Sequence, residues 1–149
     1  MSTSQYIIQY EFSFRTKDQD LITLIFQQLA QFNVNVSFIM MMKVASDYIV
    51  KIIPGLPQLP TDDYSRKITR QTLTSYDVSF DENKVLALDP TLFNKNLPPA
   101  GQSRPGVLEN LMEIISPHST IFTLGVNEGG WLIVGVDHIK KAIAILGLS

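Results

Sequence analysis

Residues 104–108 read Arg-Pro-Gly-Val-Leu and begin an amphipathic segment that continues to Ile115. Proline suits the first turn of a helix, because the first N–H groups have no partner inside the helix. Glycine lets the chain turn tightly and leaves N–H groups uncovered, and N–H groups at a helix start attract carboxylates. The stretch predicts a helix over 106–115 whose start either binds a carboxylate or only packs closely against the chain.

The first half of the chain has a similar layout of strand, helix and hairpin. Apolar and polar residues alternate from Tyr6 to Phe14, which is typical of a half-buried strand. Apolar residues then recur at helical spacing from Leu21 to Phe32, after acidic residues that favour a helix start. The remaining predictions for this half are strands over 36–44 and 48–53, a polar helix over 62–75, a short strand over 76–80 and a turn over 81–83.

The second half repeats this order. Its predicted elements are a strand over 84–88, a long loop over 89–103, the helix over 106–115, a hairpin over 119–136 and a helix over 138–146. The hairpin turn, Asn127-Glu128-Gly129-Gly130, has the composition of such turns. Each half fits a β-α-β-β-α-β unit, although the second lacks a clear final strand. We predict an α+β fold of two ferredoxin-like units, 1–80 and 84–149, with antiparallel sheets and helices on one face.

Composition limits the classes of function. The chain has 149 residues and a formal net charge of −2 with no basic block, which argues against nucleic acid as a partner. It has no cysteine, which excludes disulfides and thiolate metal sites. The polar N-terminus is unlike a signal peptide, and the apolar runs are far shorter than the roughly 18 residues of a membrane span. We expect a cytoplasmic protein that contacts no membrane.

The strand over 36–44 is apolar on both faces, because Met40, Met41 and Met42 follow Ile39. Helices on one face of a sheet leave the other face uncovered, and a large exposed apolar patch is unusual in a monomer. We therefore expect the helix-free face to be buried as well. Either the two halves pack together, or the chain forms a homodimer.

The order of these segments and three short motifs resemble the ACT domain family, in particular proteins made of two ACT domains. Arg104–Leu108 is similar to the family's charged residue, Pro-Gly and two aliphatics between the first strand and first helix. Residues 130–137 with 141–147 resemble the third strand and second helix of the C-terminal unit, and residues 29–36 resemble the entry into strand two. The resemblance implies an allosteric regulatory module that binds an amino acid or similar small molecule between subunits, without catalysis.

The resemblance and the chemistry of an amino acid together indicate candidate contacts. Backbone N–H groups and an arginine suit the carboxylate, whereas side-chain oxygens suit the ammonium group. In the first half the sequence departs from the family, with Thr16–Asp20 in place of Pro-Gly and Asn33 in place of glycine. The predicted ligand-binding residues are Gln102, Ser103, Arg104, Pro105, Gly106, Val107, Leu108, Asn35, Arg15, Thr16 and Asp18.

These residues also have structural explanations. Asn35 could satisfy backbone groups, Asp18 could cap the following helix, and Arg15 could remain solvated. His118 and His138 each lie beside a helix end without a metal or nucleophile motif. We predict no catalytic residue, no metal and no cofactor. Two alternatives stay open, namely a small-molecule enzyme with residues 89–103 as a lid, and an assembly module that binds only protein.

Overall fold

The computed structural model describes residues 5–93 and 107–148, and the side chains of 92–93 and 107–110 are outside this description. The fold is α+β, as the sequence predicts. The strands are β1 (Tyr6–Thr16), β2 (Val36–Val44), β3 (Asp47–Pro54), β4 (Phe80–Leu88), β5 (Ile121–Val126) and β6 (Leu132–Val136). The helices are α1 (Gln19–Gln31), α2 (Asp63–Ser75), α3 (Val107–Ile115) and α4 (Ile139–Ile145). A 3-10 turn over Pro90–Phe93 follows β4.

Side-chain caps explain where the first two helices begin. The Asp18 carboxylate accepts a hydrogen bond from the Asp20 N–H at 2.9 Å before α1. The Asp62 carboxylate accepts one from the Ser65 N–H at 2.9 Å before α2. Both bonds satisfy N–H groups that have no partner within the helix. After α1, Asn33 adopts a φ of +59°, which asparagine tolerates better than most residues and which ends the helix.

The strands of residues 5–93 and 107–148 form one antiparallel sheet in the order β2-β3-β1-β4-β6-β5. The first four strands with α1 and α2 make a ferredoxin-like βαββαβ unit. Strand β4 then serves the second half too, because it also pairs with β6. The second half therefore consists of β4, α3, β5, β6 and α4, and the two halves share one strand.

The predicted strand over 76–80 and the predicted turn over 81–83 are wrong. Tyr76 caps α2 through its N–H on the Thr72 carbonyl, and β4 runs without interruption through Asp81-Glu82-Asn83. Its register with β1 extends from Phe14↔Phe80 to Tyr6↔Leu88. This long ladder outweighs the low strand propensity of the three polar residues. The sheet has no break between 80 and 84, so the division into units 1–80 and 84–149 stays a prediction.

Helices α1 to α4 lie on one face of the sheet. Phe12 and Ile52 are fully buried beneath α1 and α2, in a cluster that includes Ile25. Leu86 and Val134 are fully buried in a second cluster with Ile115 of α3 and Ala142 of α4. Each buried aliphatic or aromatic side chain contributes about 1.5–3 kcal/mol to folding, so these two clusters hold the helices on the sheet.

The opposite, helix-free face is buried because the sheet curves over on that side. Phe38 of β2 and Ile133 of β6 belong to one cluster with Ile53, Val85 and Ala87. The N–H of Glu128 donates to the Ser37 carbonyl at 2.9 Å, which brings the end of β5 to β2. We call this curved, helix-free side the concave face. The halves pack together through it, one of the two arrangements expected above.

The apolar residues of β2 are not all covered by this packing. Ile39 is 53% exposed and Met41 is 48% exposed, because both point to the helix side at the edge of the sheet. Met42 is also 48% exposed. These three side chains are uncovered in the single chain, so β2 presents an apolar edge, and the expected homodimer stays a prediction.

One end of the concave face is closed by a loop and a turn. The Nε2 group of Gln9, a fully buried residue, donates to the Leu56 carbonyl at 3.1 Å and to the Leu59 carbonyl at 2.9 Å. The Nδ2 group of Asn127 donates to the Pro57 carbonyl at 2.8 Å. The loop after β3 and the β5–β6 turn are thus bonded to the sheet and to each other, while the opposite end remains open.

The contact between β5 and β2 predicts the effect of adding a side chain at Gly125. A Cβ atom there would lie 2.8 Å from Cε1 of the buried Phe38 ring. We expect Gly125→Ala to lower the free energy of unfolding by about 1–3 kcal/mol, measured by urea denaturation, because overpacked cores cost that much.

The neighbouring Val126 is 62% exposed and provides the control. The free energy of unfolding of Val126→Ala should stay within about 0.5 kcal/mol of the wild-type value. The double variant with Gly125→Ala and Phe38→Leu should lose less free energy of unfolding than the sum of the losses in the two single variants. Wild-type stability of Gly125→Ala would mean that β5 does not approach β2 as described.

Candidate functional site

A cavity of about 330 Å³ lies at the open end of the concave face. Its lining includes Ser13, Arg15, Ile49, Lys51, Ser79 and Asp81. The strand register explains this set. Ser13 pairs with Lys51 on β3 and with Asp81 on β4, and Arg15 pairs with Ile49. Paired residues of antiparallel strands share a face, so three neighbouring strands present these side chains together.

The cavity carries both signs of charge. Arg15 has a side chain that is 58% exposed, and its Nε lies 3.2 Å from Oδ2 of Asp47. Lys51 is more deeply placed, with a side chain that is 15% exposed. Asp81 is exposed and forms no ion pair with the residues that the structure describes. Two cations beside a carboxylate suit a small ligand that has a carboxylate and an ammonium group.

Lys51 also connects the two halves of the sheet. Its Nζ donates to the Phe122 carbonyl at 2.5 Å and to Oγ1 of Thr123 at 2.7 Å. The same Nζ lies 3.8 Å from Oε1 of Glu11, and the Thr123 hydroxyl donates to that oxygen at 3.1 Å. These contacts among Lys51, Glu11, Phe122 and Thr123 are called the Lys51 clasp below.

Glu11 is the buried anion of the clasp. It is 1% exposed, and its Oε2 atom has no hydrogen-bond partner among the described residues. Burial raises the pKa of the Glu11 carboxyl, while the Lys51 charge and the Thr123 hydrogen bond partly offset this rise. The ionised Glu11 carboxylate depends on Lys51 to balance its charge, since an unpaired charge in the interior is costly.

A second carboxylate, Glu82 of β4, lies on the helix side and is held differently. Arg66 of α2 donates to Oε2 of Glu82 at 2.7 Å, and Arg70 also binds this carboxylate. The Arg66 guanidinium stacks on the Tyr10 ring, 3.5 Å from its centroid. The hydrogen bonds from Arg70 are the main reason why the pKa of Glu82 is lowered, although partial burial opposes them.

The two carboxyl groups predict opposite effects of pH on stability. A raised pKa in the folded state contributes stability at low pH that is lost as the pH rises through that pKa. From pH 4.5, the ordinary pKa of Glu11, towards neutrality, we expect the free energy of unfolding to fall more in the wild type than in Glu11→Gln. Urea denaturation at a series of pH values measures this difference.

Glu82 supplies the matched control, because its pKa is lowered. Its contribution is present at neutral pH and is lost as the pH falls through the lowered value. Glu82→Gln should therefore flatten the acid side of the profile and leave the slope above its ordinary pKa unchanged. Identical slopes for the wild type and Glu11→Gln towards neutral pH would contradict the raised pKa.

The first-half candidates make different contacts, and one of them lines the cavity. Arg15 lines the cavity. The Thr16 hydroxyl accepts the Asp18 N–H at 3.1 Å, and Asp18 caps α1. Asn35 donates from Nδ2 to the Gly55 carbonyl at 2.9 Å and to Oε1 of Glu128 at 2.8 Å, so it links the two halves. A ligand role for these residues stays a prediction.

Most of the second-half candidates lie outside the described residues. These are Gln102, Ser103, Arg104, Pro105 and Gly106. Val107 and Leu108 are the first two residues of α3, and their side chains are also outside the description. A ligand role for this helix start stays a prediction too.

Sequence reasoning missed Lys51, Asp81 and Ser13 as cavity residues. A signal was present for Lys51, which is the one cation within the apolar run from Tyr48 to Ile53. A charge in a buried strand requires a partner, so Lys51 could have been matched with an acidic residue on another strand. Asp81 gave no such signal, because we assigned it to a turn.

Neither a family model nor a curated protein matches the sequence. Solved structures do match. One is a protein from Bacteroides thetaiotaomicron, with a TM-score of 0.66 and 15% identity over 97% of this chain and 90% of that chain. Another is the ligand-free regulatory subunit of aspartate kinase from Thermus thermophilus, with a TM-score of 0.56 and 11% identity over 97% and 92% of the two chains.

The fold is ACT-like. A third match, E. coli aspartokinase III in complex with aspartate and ADP, has a TM-score of 0.58 and 13% identity. It covers 95% of this chain but 31% of that one, so the present chain corresponds to a part of the enzyme. At these identities the likeness establishes the fold, and function has to be argued from the site.

No helix in 5–93 or 107–148 is long and apolar enough to cross a membrane. The same part of the chain holds no group of three or more histidine, cysteine or acidic residues placed to bind a metal ion.

Proposed function

We propose that this protein is a non-catalytic regulator that binds an amino acid or a similar small zwitterion in the cavity at the open end of the concave face. The observation that carries the proposal is the arrangement of opposite charges around that cavity. Arg15, Lys51 and Asp81 line the same cavity. In the proposal the two cations bind the carboxylate, and Asp81 binds the ammonium group. Ser13 lies between them and offers a hydroxyl to either group.

The size of the cavity favours a small ligand. Ligand pockets typically span about 300–1,000 Å³, and this one measures about 330 Å³. An amino acid fits such a space. The apolar part of the lining, which includes Ile49, would contact the side chain of the ligand.

The comparisons support a regulatory role by analogy of fold. A regulatory subunit of aspartate kinase shares the fold over nearly all of both chains, and another protein with this fold was solved with aspartate and ADP. In our proposal ligand binding favours one arrangement of the chain over another, and a partner protein responds to that shift.

We include a homodimer in the proposal. Strand β2 is at the edge of the sheet, and Ile39, Met41, Met42 and Val44 are each at least 40% exposed. An apolar edge strand is a template for pairing with another strand. We expect sedimentation equilibrium to detect a dimer that Met41→Lys weakens at least about tenfold, or about 1.4 kcal/mol.

Met112 of α3, which is 39% exposed, is the control for adding a charge in place of methionine. Met112→Lys should leave the association constant unchanged. A monomer at all concentrations, or equal weakening by both changes, would remove β2 from the proposed dimer.

The ligand proposal is tested by thermal denaturation with each of the twenty amino acids, followed by calorimetry on those that raise Tm. A ligand that binds only the folded state at 100 times its Kd stabilises the protein by about 2.7 kcal/mol. Arg15→Gln and Asp81→Asn should each weaken binding about tenfold or more, because a hydrogen bond to a charged group is worth about 1.5–3 kcal/mol.

Matched controls separate the cavity from general charge effects. Lys17→Gln and Glu113→Gln remove the same charges from exposed positions outside the cavity lining, and they should leave binding unchanged. Asp81→Asn should also abolish the preference for an amino acid over its 2-hydroxy analogue, since Asp81 is assigned to the ammonium group. If none of the twenty amino acids raises Tm, the proposed function is overturned and an assembly module is favoured.

A further inference from the structure

Lys51 belongs to two sites at once. Its side chain lines the cavity beside Arg15 and Asp81. Its ammonium group is already occupied by the Phe122 carbonyl, the Thr123 hydroxyl and the Glu11 carboxylate. An anion that enters the cavity and binds Lys51 therefore competes with the clasp for the same Nζ protons.

The clasp joins parts of the sheet that are far apart in strand order. Lys51 lies on β3 and Thr123 lies on β5, with β1, β4 and β6 between them in the sheet. No ladder pairing connects β3 with β5. At the open end, contacts across the concave face such as those of Lys51 hold the two strands together, so its release affects their separation.

The other end of the concave face is held independently of Lys51. There the Glu128 N–H donates to the Ser37 carbonyl, the Asn35 amide donates to the Glu128 carboxylate, and Phe38 packs on Gly125. The Asn127 amide adds a bond to the Pro57 carbonyl. These contacts would remain when Lys51 moves, so the two halves would separate at the cavity end and pivot at the closed end.

We propose that Lys51 is the switch of this site: the carboxylate of the bound ligand draws the Lys51 ammonium away from β5, so that ligand binding and opening of the Lys51 clasp are one coupled equilibrium. This inference rests on the proposed function and adds its mechanism of regulation. Arg15 supplies the first attraction for the carboxylate, because it is the more exposed cation of the cavity.

The buried Glu11 makes the two states discrete. With the clasp closed, Lys51 and the Thr123 hydroxyl accompany the Glu11 carboxylate. With the clasp open, Lys51 faces the ligand, and water enters between β3 and β5 to solvate Glu11. An intermediate with Lys51 withdrawn and Glu11 still dry is unfavourable. The clasp is therefore either closed or open, and the ligand shifts the balance between these two states.

Thermodynamic linkage predicts the direction in which a weaker clasp changes the affinity for the ligand. If the ligand binds only when Lys51 has left β5, the apparent affinity is reduced by the fraction of chains in the open state. Weakening the clasp without changing the cavity should then tighten binding. Thr123→Val does this, because Thr123 is 3% exposed and is not part of the described cavity lining.

The experiment measures by calorimetry the affinity of each amino acid that stabilises the wild type, for three variants. Thr123→Val should bind more tightly, by up to about tenfold, since it lacks one hydrogen bond to the ammonium. Thr123→Ser keeps the hydroxyl and should match the wild type. Lys51→Met should lose binding tenfold or more. Unchanged or weaker binding by a folded Thr123→Val would overturn the switch.

A second measurement uses the otherwise wild-type chain, so the test does not depend on the folding of Thr123→Val. The protein has no cysteine, so Ser46→Cys and Thr120→Cys, both exposed, can carry a spin-label pair across the open end. Diluted with unlabelled protein, the pair should give a longer distance with saturating amino acid than without it. An unchanged or shorter distance would overturn the switch.

The outcomes separate the inference from the proposed function. If no amino acid stabilises the wild type, the proposed function fails, and the switch falls with it. If an amino acid binds through Arg15 and Asp81 while Thr123→Val and the spin labels show no coupling, the binding function stands and the switch alone is rejected.

Discussion

The structure depends on how the second face of the sheet is buried. Helices α1 to α4 cover one face, and the other face is apolar from Phe38 on β2 to Ile133 on β6. Water would face this apolar surface if the sheet were flat, at a cost of about 25 cal/mol for each Å². The sheet instead curves until β5 reaches β2, and the chain buries its second face against itself.

This curvature also creates the polar interior. Gln9 and Glu11 are alternate residues of β1 that point to the concave face, and both are almost completely buried. Gln9 is accommodated at the closed end by carbonyl groups of the loop after β3. Glu11 is accommodated by Lys51 and Thr123 near the open end. One strand therefore bears both the anchor of the closed end and the anion of the clasp.

The shared strand β4 explains why the two halves behave as one sheet. It completes the ferredoxin-like unit beside β1 and pairs with β6 on its other edge. The same strand contributes Asp81 to the cavity and Glu82 to the arginines of α2. Successive residues of a strand point to opposite faces, so neighbouring acidic residues carry one charge to the concave face and one to the helix face.

Local physical chemistry made much of the fold predictable from the sequence. Alternation predicted β1, helical spacing after acidic residues predicted α1, and a glycine-containing turn predicted the β5–β6 hairpin. Each of these signals acts within a few residues of the chain. The segment 76–83 was predicted wrongly, because its strand character comes from pairing with β1, to which it is distant in sequence.

What the sequence determined by itself was the fold class and, outside the segment 76–83, the order of elements. The cavity was decided only by the tertiary structure. Ser13, Lys51 and Asp81 lie on three strands, and their meeting depends on strand register. The clasp depends on curvature as well, since Lys51 and Thr123 are 72 residues apart and on strands that do not pair. Periodicity describes which face a residue occupies, but register and curvature are set by the whole sheet, and they determine which faces meet.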